Sequence, residues 1–247
     1  MKILTLTLIL ILIYFFKSKS SISHWEYIFP EFPIKNNDSI IHWKDSLPKF
    51  PIEDFKNKCG NILLNIGDFT NNGIPDLYPN KIEKQKLSSW FDNIILGNKQ
   101  SRLIFKNNSK NEIALFIIDW FNKIKNQLPS YLQQKIISNP VTEYTLRISK
   151  GKWEFPSHFD GIDQSMLVLS GDRNVIFNNT AQVLLHKSDI IFFKGGVYHK
   201  FWCSNQNNTI NMTLNLAFKP EDNAANLKFE KNYPKQINRI RSFTDHI

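Results

Sequence analysis

Ten residues, TINMTLNLAF (209–218), constrain the fold more than any other part of the chain. Ile210, Met212, Leu214, Leu216 and Phe218 alternate with Thr209, Asn211, Thr213, Asn215 and Ala217. A strict period of two belongs to a strand with one face on apolar material and the other on something polar. The same alternation recurs at Tyr144, Leu146 and Ile148 against Thr145 and Arg147. Strands are also expected around Met166 and Val168, over 174–178, 182–186 and 189–193, and at NILLNI (61–66). Several short strands separated by turns predict a barrel or sandwich.

Before Pro140 the chain reads differently. Pro30, Pro33, Pro48 and Pro51 mark residues 22–60 as an extended arm. Leu87, Trp90, Phe91, Ile94 and Ile95 recur at helical spacing, which predicts an amphipathic helix over 84–96 stopped by Gly97. Further helices are expected within 111–127 and over 130–138, the last halted by Asn139–Pro140. No internal repeat and no second core are evident, so one globular domain is expected. It comprises an arm with a strand and helices (22–140), a β core (141–220) and a basic tail (221–247) carrying Lys228, Lys231, Lys235, Arg239 and Arg241. The net charge of +9 is spread along the chain, with no arginine-rich run, zinc-finger spacing or aromatic RNA-binding box, so no nucleic-acid partner is expected.

The segment MKILTLTLILILIYFFKSKSS (1–21) has an apolar run from Ile3 to Phe16, shorter than the roughly 20 residues of a membrane span. It reads as a signal peptide, with an uncleaved anchor as the alternative; no membrane span is expected beyond it. Either places the body of the chain in the endoplasmic reticulum lumen or outside the cell. Cys59 and Cys203 fit such a compartment as one candidate disulfide. Glycosylation sequons start at Asn37, Asn107, Asn178, Asn207 and Asn211, and Asn211 lies on the polar face of the 209–218 strand.

The chemistry-bearing residues cluster in two stretches. In GKWEFPSHFDGIDQSMLVLSG (151–171), His158 and Asp160 are two apart, which on a strand puts both on one face and Phe159 on the other. In SDIIFFKGGVYHKFWC (188–203), Gly195–Gly196 allow a tight turn that swings His199 back toward the mouth of the β core. His158, Asp160 and His199 form a two-His-one-carboxylate set, the facial triad of non-haem Fe(II) oxygenases. Gln164 is expected to hydrogen-bond behind the ligands. His186 is expected at the surface, and His24, His42 and His246 are bystanders. Trp153, Phe155, Tyr198 and Trp202 line either an entrance or the core.

Three blocks, PSHFDGIDQSMLVLSGDRNVIF (156–177), SDIIFFKGGVYHKF (188–201) and TLNLAFKP (213–220), resemble the cupin superfamily and, within it, the JmjC-type 2-oxoglutarate oxygenases. The second block is similar to the cupin histidine motif, matching at Asp189, Gly196 and His199, with Ser188 in place of its Gly and Lys194 in place of its Pro. The resemblance implies an α+β, mainly β protein with a double-stranded β-helix (cupin or jelly-roll) barrel and an N-terminal helical region. It implies Fe(II) held by His158, Asp160 and His199, with 2-oxoglutarate as cosubstrate. The family's cosubstrate lysine falls thirteen positions after the metal-binding Asp, which here is Arg173, with a surface arginine after a hairpin turn at Gly171–Asp172 as the alternative. Asn215 falls at a position that hydrogen-bonds the cosubstrate, and Tyr144 is a further donor candidate, with packing the preferred reading. The implied activity is hydroxylation of an unidentified substrate, in the family often a protein or peptide side chain. Asp160 and His199 are only 39 residues apart, shorter than in the JmjC enzymes. That spacing and the arginine at 173 keep two alternatives open: a cupin metalloenzyme that does not use 2-oxoglutarate, and a catalytically silent cupin binding module.

Overall fold

The computed structural model describes residues 40–68, 81–158, 160–177, 181–203, 209–219 and 245–246. Residues 1–39 and 220–244, with the apolar segment and most of the basic tail, lie outside the described residues, as do Asn37, Asn178 and Asn207. Thirteen strands are described: β1 (Ile40–Trp43), β2 (Leu63–Asp68), β3 (Lys81–Lys86), β4 (Lys99–Phe105), β5 (Val141–Lys150), β6 (Trp153–His158), β7 (Gln164–Ser170), β8 (Arg173–Phe177), β9 (Ala181–Leu185), β10 (Ile190–Phe193), β11 (His199–Cys203), β12 (Asn211–Phe218) and β13 (Asp245–His246). The helices are α1 (Ile52–Cys59), α2 (Ser88–Phe91), α3 (Glu112–Ile124) and α4 (Ser130–Ser138), with a 3-10 turn at Lys125–Gln127.

The strands form two sheets, a mainly β architecture compatible with a sandwich or jelly roll. One sheet has nine strands in the order β1-β10-β7-β12-β5-β4-β2-β3, with β13 alongside β4; the other has four, β6-β11-β8-β9. All neighbours are antiparallel except β13 with β4.

The alternation in 209–218 is realised as expected. Met212, Leu214, Leu216 and Phe218 join Tyr144, Leu146, Ile148, Leu103, Phe105, Leu167, Ile190 and Phe192 in an outer core under the helices. The opposite face of the large sheet meets the small sheet. There Met166, Val168, Ile191 and Phe193 pack with Val175, Phe177, Phe201, Cys203 and Trp153. Helix α3 supplies much of the outer cover. Asn111 caps it by accepting from the Ile113 N–H, and Ile113, Ala114, Ile117, Trp120, Phe121 and Ile124 are buried at helical spacing. Helix α4 spans the expected residues 130–138.

Two expectations are corrected. Residues 84–96 are not one helix: β3 ends at Lys86, α2 has four residues, and the chain then runs irregularly through Asn93, whose φ is +57°. Tertiary hydrogen bonds win over periodicity. Leu87 N donates to Ile62 O and Ser88 N to Gly60 O, so Leu87, Trp90 and Ile95 reach the core from a turn while Ile94 and Leu96 stay exposed. The supposed extended arm likewise contains β1 and α1, which follows Pro51. β1 extends the large sheet beyond β10, and His42 Nε2 lies 3.0 Å from Asp189 Oδ2, so His42 ties that strand in place. Burial pushes the Asp189 carboxyl up, but hydrogen bonds from His186 N, Asp45 N and His42 outweigh it and hold the group below its ordinary value.

Cys59 and Cys203 do not form the candidate disulfide. Cys59 is buried in the outer core and Cys203 between the sheets, on opposite sides of the large sheet. Burial pushes the Cys59 thiol up to about 11, which keeps it protonated and inert. Among the described residues no helix is long and apolar enough to cross a membrane.

Candidate functional site

The two glycines of the 188–203 stretch build the site. Gly196 has φ +83°, and its N–H donates to Asp160 O at 2.8 Å. A Cβ on Gly195 would stand 3.0 Å from Ile162 N, so a side chain there would press the turn back from the 160–163 loop. Gly195 N donates to Asp163 Oδ1 at 2.9 Å, and Asp163 also pairs with Lys135 of α4 at 2.6 Å. The turn therefore holds Asp160 from one side while leading into β11, whose first residue is His199.

His199 is 2% exposed and ringed by Phe193, Phe201 and Phe177, with centroids 4.6, 5.1 and 6.4 Å away. Its Nδ1 lies 2.9 Å from the Val197 carbonyl. A carbonyl only accepts, so Nδ1 carries the proton and Nε2 presents its lone pair. Nε2 is 3.4 Å from Asp160 Oδ2, at the edge of solvent. The backbone pairing sets His199 directly across from His158 of β6. The side chain of His158 lies outside the described residues, as do Phe159 and the Phe155 side chain. Asp160 is not on a strand with His158, because β6 ends at His158; its loop, and not a pleat, aims it.

An imidazole nitrogen fixed by a backbone acceptor, beside a partly exposed carboxylate oxygen, is a donor pair that suits a borderline divalent metal such as Fe(II). Among the described side chains, no group of three or more His, Cys, Asp or Glu converges. Asp160 and His199 are thus the described part of the expected triad.

Behind this pair, the inner face of the large sheet is polar. Register sets Gln100, Ser149 and Asn211 in one row across β4, β5 and β12; Arg102, Arg147 and Thr213 in the next; Ile104, Thr145 and Asn215 in a third. A fourth row runs Glu143, Ala217, Gln164 and Phe193. Because Phe193 packs on His199, this fourth row is level with the Asp160–His199 pair. Asn215 does face the interior, as expected. Arg173 does too: it is 1% exposed, with its guanidinium carbon 4.4 Å from the centroid of the Trp153 ring, so it is no surface arginine.

Tyr144 is not brought to the site. It shares parity with Leu146 and Ile148, stacks on Phe105 beneath the helices, and donates to Asn107 Oδ1 at 2.9 Å; burial pushes its hydroxyl up to about 12. Asn211 is 1% exposed and donates to Cys203 Sγ, which leaves no room for a glycan. Gly171, at φ +70°, packs so closely on Asn211 that a Cβ there would collide with it. His186 is exposed, as expected, beside Asp172. Trp153 belongs to the core, and Tyr198 and Trp202 are half-buried.

Sequence reasoning missed Glu143, Arg147, Gln100 and Asp163. Burial holds the Glu143 carboxyl above its ordinary value; Arg102 and Lys106 pull it down, and the Asp160 charge pushes it further up. The parity of Arg147 within β5 was a usable signal, since it alternates with the apolar Leu146 and Ile148.

No family model matches the sequence, and no curated protein matches it. Among solved structures, a conserved protein of unknown function from Streptococcus pyogenes is 18% identical over 32% of this chain and 66% of its own, with a TM-score of 0.29. A structure of DMSP lyases is 16% identical over 31% and 37%, with a TM-score of 0.27. The chain thus spans less than two thirds of the length of either.

Proposed function

We propose that the chain is an Fe(II)- and 2-oxoglutarate-dependent oxygenase, a hydroxylase of a protein or peptide side chain in the secretory pathway, built on a double-stranded β-helix. The observation that carries this reading is the His199–Asp160 pair, with Nδ1 held by the Val197 carbonyl, Nε2 turned to Asp160, and His158 paired across from His199 in register. The strand order supports it, since β5 to β12 interleave as β5-β12-β7-β10 facing β6-β11-β8-β9.

His158, Asp160 and His199 would hold the metal. The aromatic wall of Phe177, Phe193 and Phe201 keeps water from the histidine side, which strengthens the charge interactions there. Arg173, buried on the inner face, would pair with the far carboxylate of the cosubstrate, and Asn215 would hydrogen-bond it. Fe(II), when bound, supplies the chemistry that couples oxidative decarboxylation of 2-oxoglutarate to hydroxylation of the substrate.

The test is anaerobic visible absorption of the protein titrated with Fe(II) and then 2-oxoglutarate. Chelation by the keto acid gives a charge-transfer band, which His199→Ala and Asp160→Ala should abolish. Iron binding without a band would favour a metalloenzyme that does not use 2-oxoglutarate. The placement of Arg173 over Trp153 gives that second reading its own support. Failure to bind iron would leave the silent binding module.

A further inference from the structure

Asp160 is the donor of the site that no strand ladder places. β6 ends at His158, and His199 opens β11 directly across from it, so both histidines stand on paired sheet backbone. Asp160 comes two residues past the end of β6, in a loop that runs to Asp163 before β7 opens at Gln164. Its Oδ2 is nevertheless 3.4 Å from His199 Nε2. Two donors that share one divalent ion, each about 2.1 Å from it, stand about 3.0–3.4 Å apart. A loop shift of about 1 Å therefore divides a chelating pair from two unrelated side chains.

Asp163 closes that loop. Its Oδ1 accepts from Gly195 N at 2.9 Å, its backbone carbonyl accepts from Phe218 N at 3.1 Å, and its Oδ2 meets Lys135 Nζ at 2.6 Å. At the other end of the loop, Gly196 N donates to Asp160 O at 2.8 Å. The segments carrying Asp160 and His199 are thus joined twice, at the first and last residues of the loop. Their backbones also approach closely, since a Cβ on Gly195 would lie 3.0 Å from Ile162 N and 3.1 Å from Gly161 C. Both carboxylate oxygens of Asp163 are engaged, so it is not itself a ligand. The Lys135 and Asp163 side chains are 12% and 21% exposed, which spares their ion pair most of the screening an exposed pair meets.

We infer that Asp163 is a positioning residue for the metal centre: it fixes the Asp160 loop against the glycine turn, and Lys135 holds its carboxylate in the orientation that does so. This rests on the metal-binding part of the proposed function and not on the choice of cosubstrate. Metal affinity then depends on α4, a helix that contributes no ligand.

The experiment titrates the full chain with Co(II) alone and follows its visible ligand-field band. His199→Ala should abolish the band, which marks binding at the site. Asp163→Ala should weaken Co(II) binding by about 10- to 100-fold, the usual cost of losing a group that orients a ligand, and should shift the band. Asp163→Asn still accepts from Gly195 but no longer pairs with Lys135, and Lys135→Met removes the same pair from the other side. The two should match each other at an intermediate affinity. A merely structural role would lower the melting temperature of the metal-free variants and leave the affinity and band of the folded protein as in the wild type. That result overturns the inference and leaves the metal site standing. Should Asp163→Ala fail to fold, Lys135→Met decides, and Co(II) binding as tight as in the wild type overturns the inference. A wild type without a band that His199→Ala abolishes overturns the metal site and the inference with it.

Discussion

The two faces of β5 and β12 make a natural comparison, because the same strands serve both. On the helix side, Leu146, Ile148, Met212, Leu214 and Leu216 are wholly buried among apolar neighbours. On the sheet side, Ser149, Thr213 and Asn211 are buried as deeply, but their hydroxyl and amide oxygens, with the Gln100 amide, find no hydrogen-bond partner among the described residues. The first face holds the protein together. The second costs stability, since buried polar groups without partners are expensive, and that cost is expected where a protein receives a ligand. Neighbouring residues in sequence thus belong to different energetic classes.

The largest effect should come from breaking the apolar face. Leu214→Ala removes a fully buried side chain beneath the helices and should cost about 2–5 kcal/mol, read from urea unfolding. Its neighbour should respond in the opposite sense. Thr213→Val replaces a hydroxyl lacking a hydrogen bond by a methyl of similar shape, and a gain of about 1 kcal/mol is expected. A destabilised Thr213→Val would show that the hydroxyl is satisfied in the resting protein and would erase the contrast. The smallest effect concerns Glu143. Its folded value is raised, so its contribution to stability is fully present below the unfolded value of about 4.3 and is lost as pH rises through the folded one. Glu143→Gln should remove that pH dependence and raise the melting temperature slightly at neutral pH. Equal melting curves for both proteins across that range would show that Arg102 fully compensates the buried carboxylate.

Legibility in the sequence follows the range of the interactions. β12, α3 and α4 are written in local periodicity and caps, and they form where the pattern places them. Residues 84–96 carry a helical pattern, but bonds from Leu87 and Ser88 to residues about 25 positions earlier override it. The His199–Asp160 pair was readable because two glycines and a histidine sit together in one short stretch. The polar inner face of β4, β5 and β12 was not, since Gln100, Arg147 and Thr213 come from three strands and meet only through register. Tyr144 shows the converse: its parity with Leu146 and Ile148 assigns it to the helix side, where its hydroxyl donates to Asn107 and not toward a cosubstrate.

The contact between Lys135 and Asp163 carries one more consequence. Asp163 accepts from Gly195 through its side chain and from Phe218 through its backbone, while its second carboxylate oxygen holds a lysine on α4. The Gly195 amide proton is therefore a reporter placed between the helical layer and the mouth of the site. Its exchange with deuterated solvent requires the carboxylate to let go, so Lys135→Met should speed exchange at Gly195 although the two residues do not touch. Slow exchange at that amide is how the helices would make themselves felt at His199, four residues further along the chain.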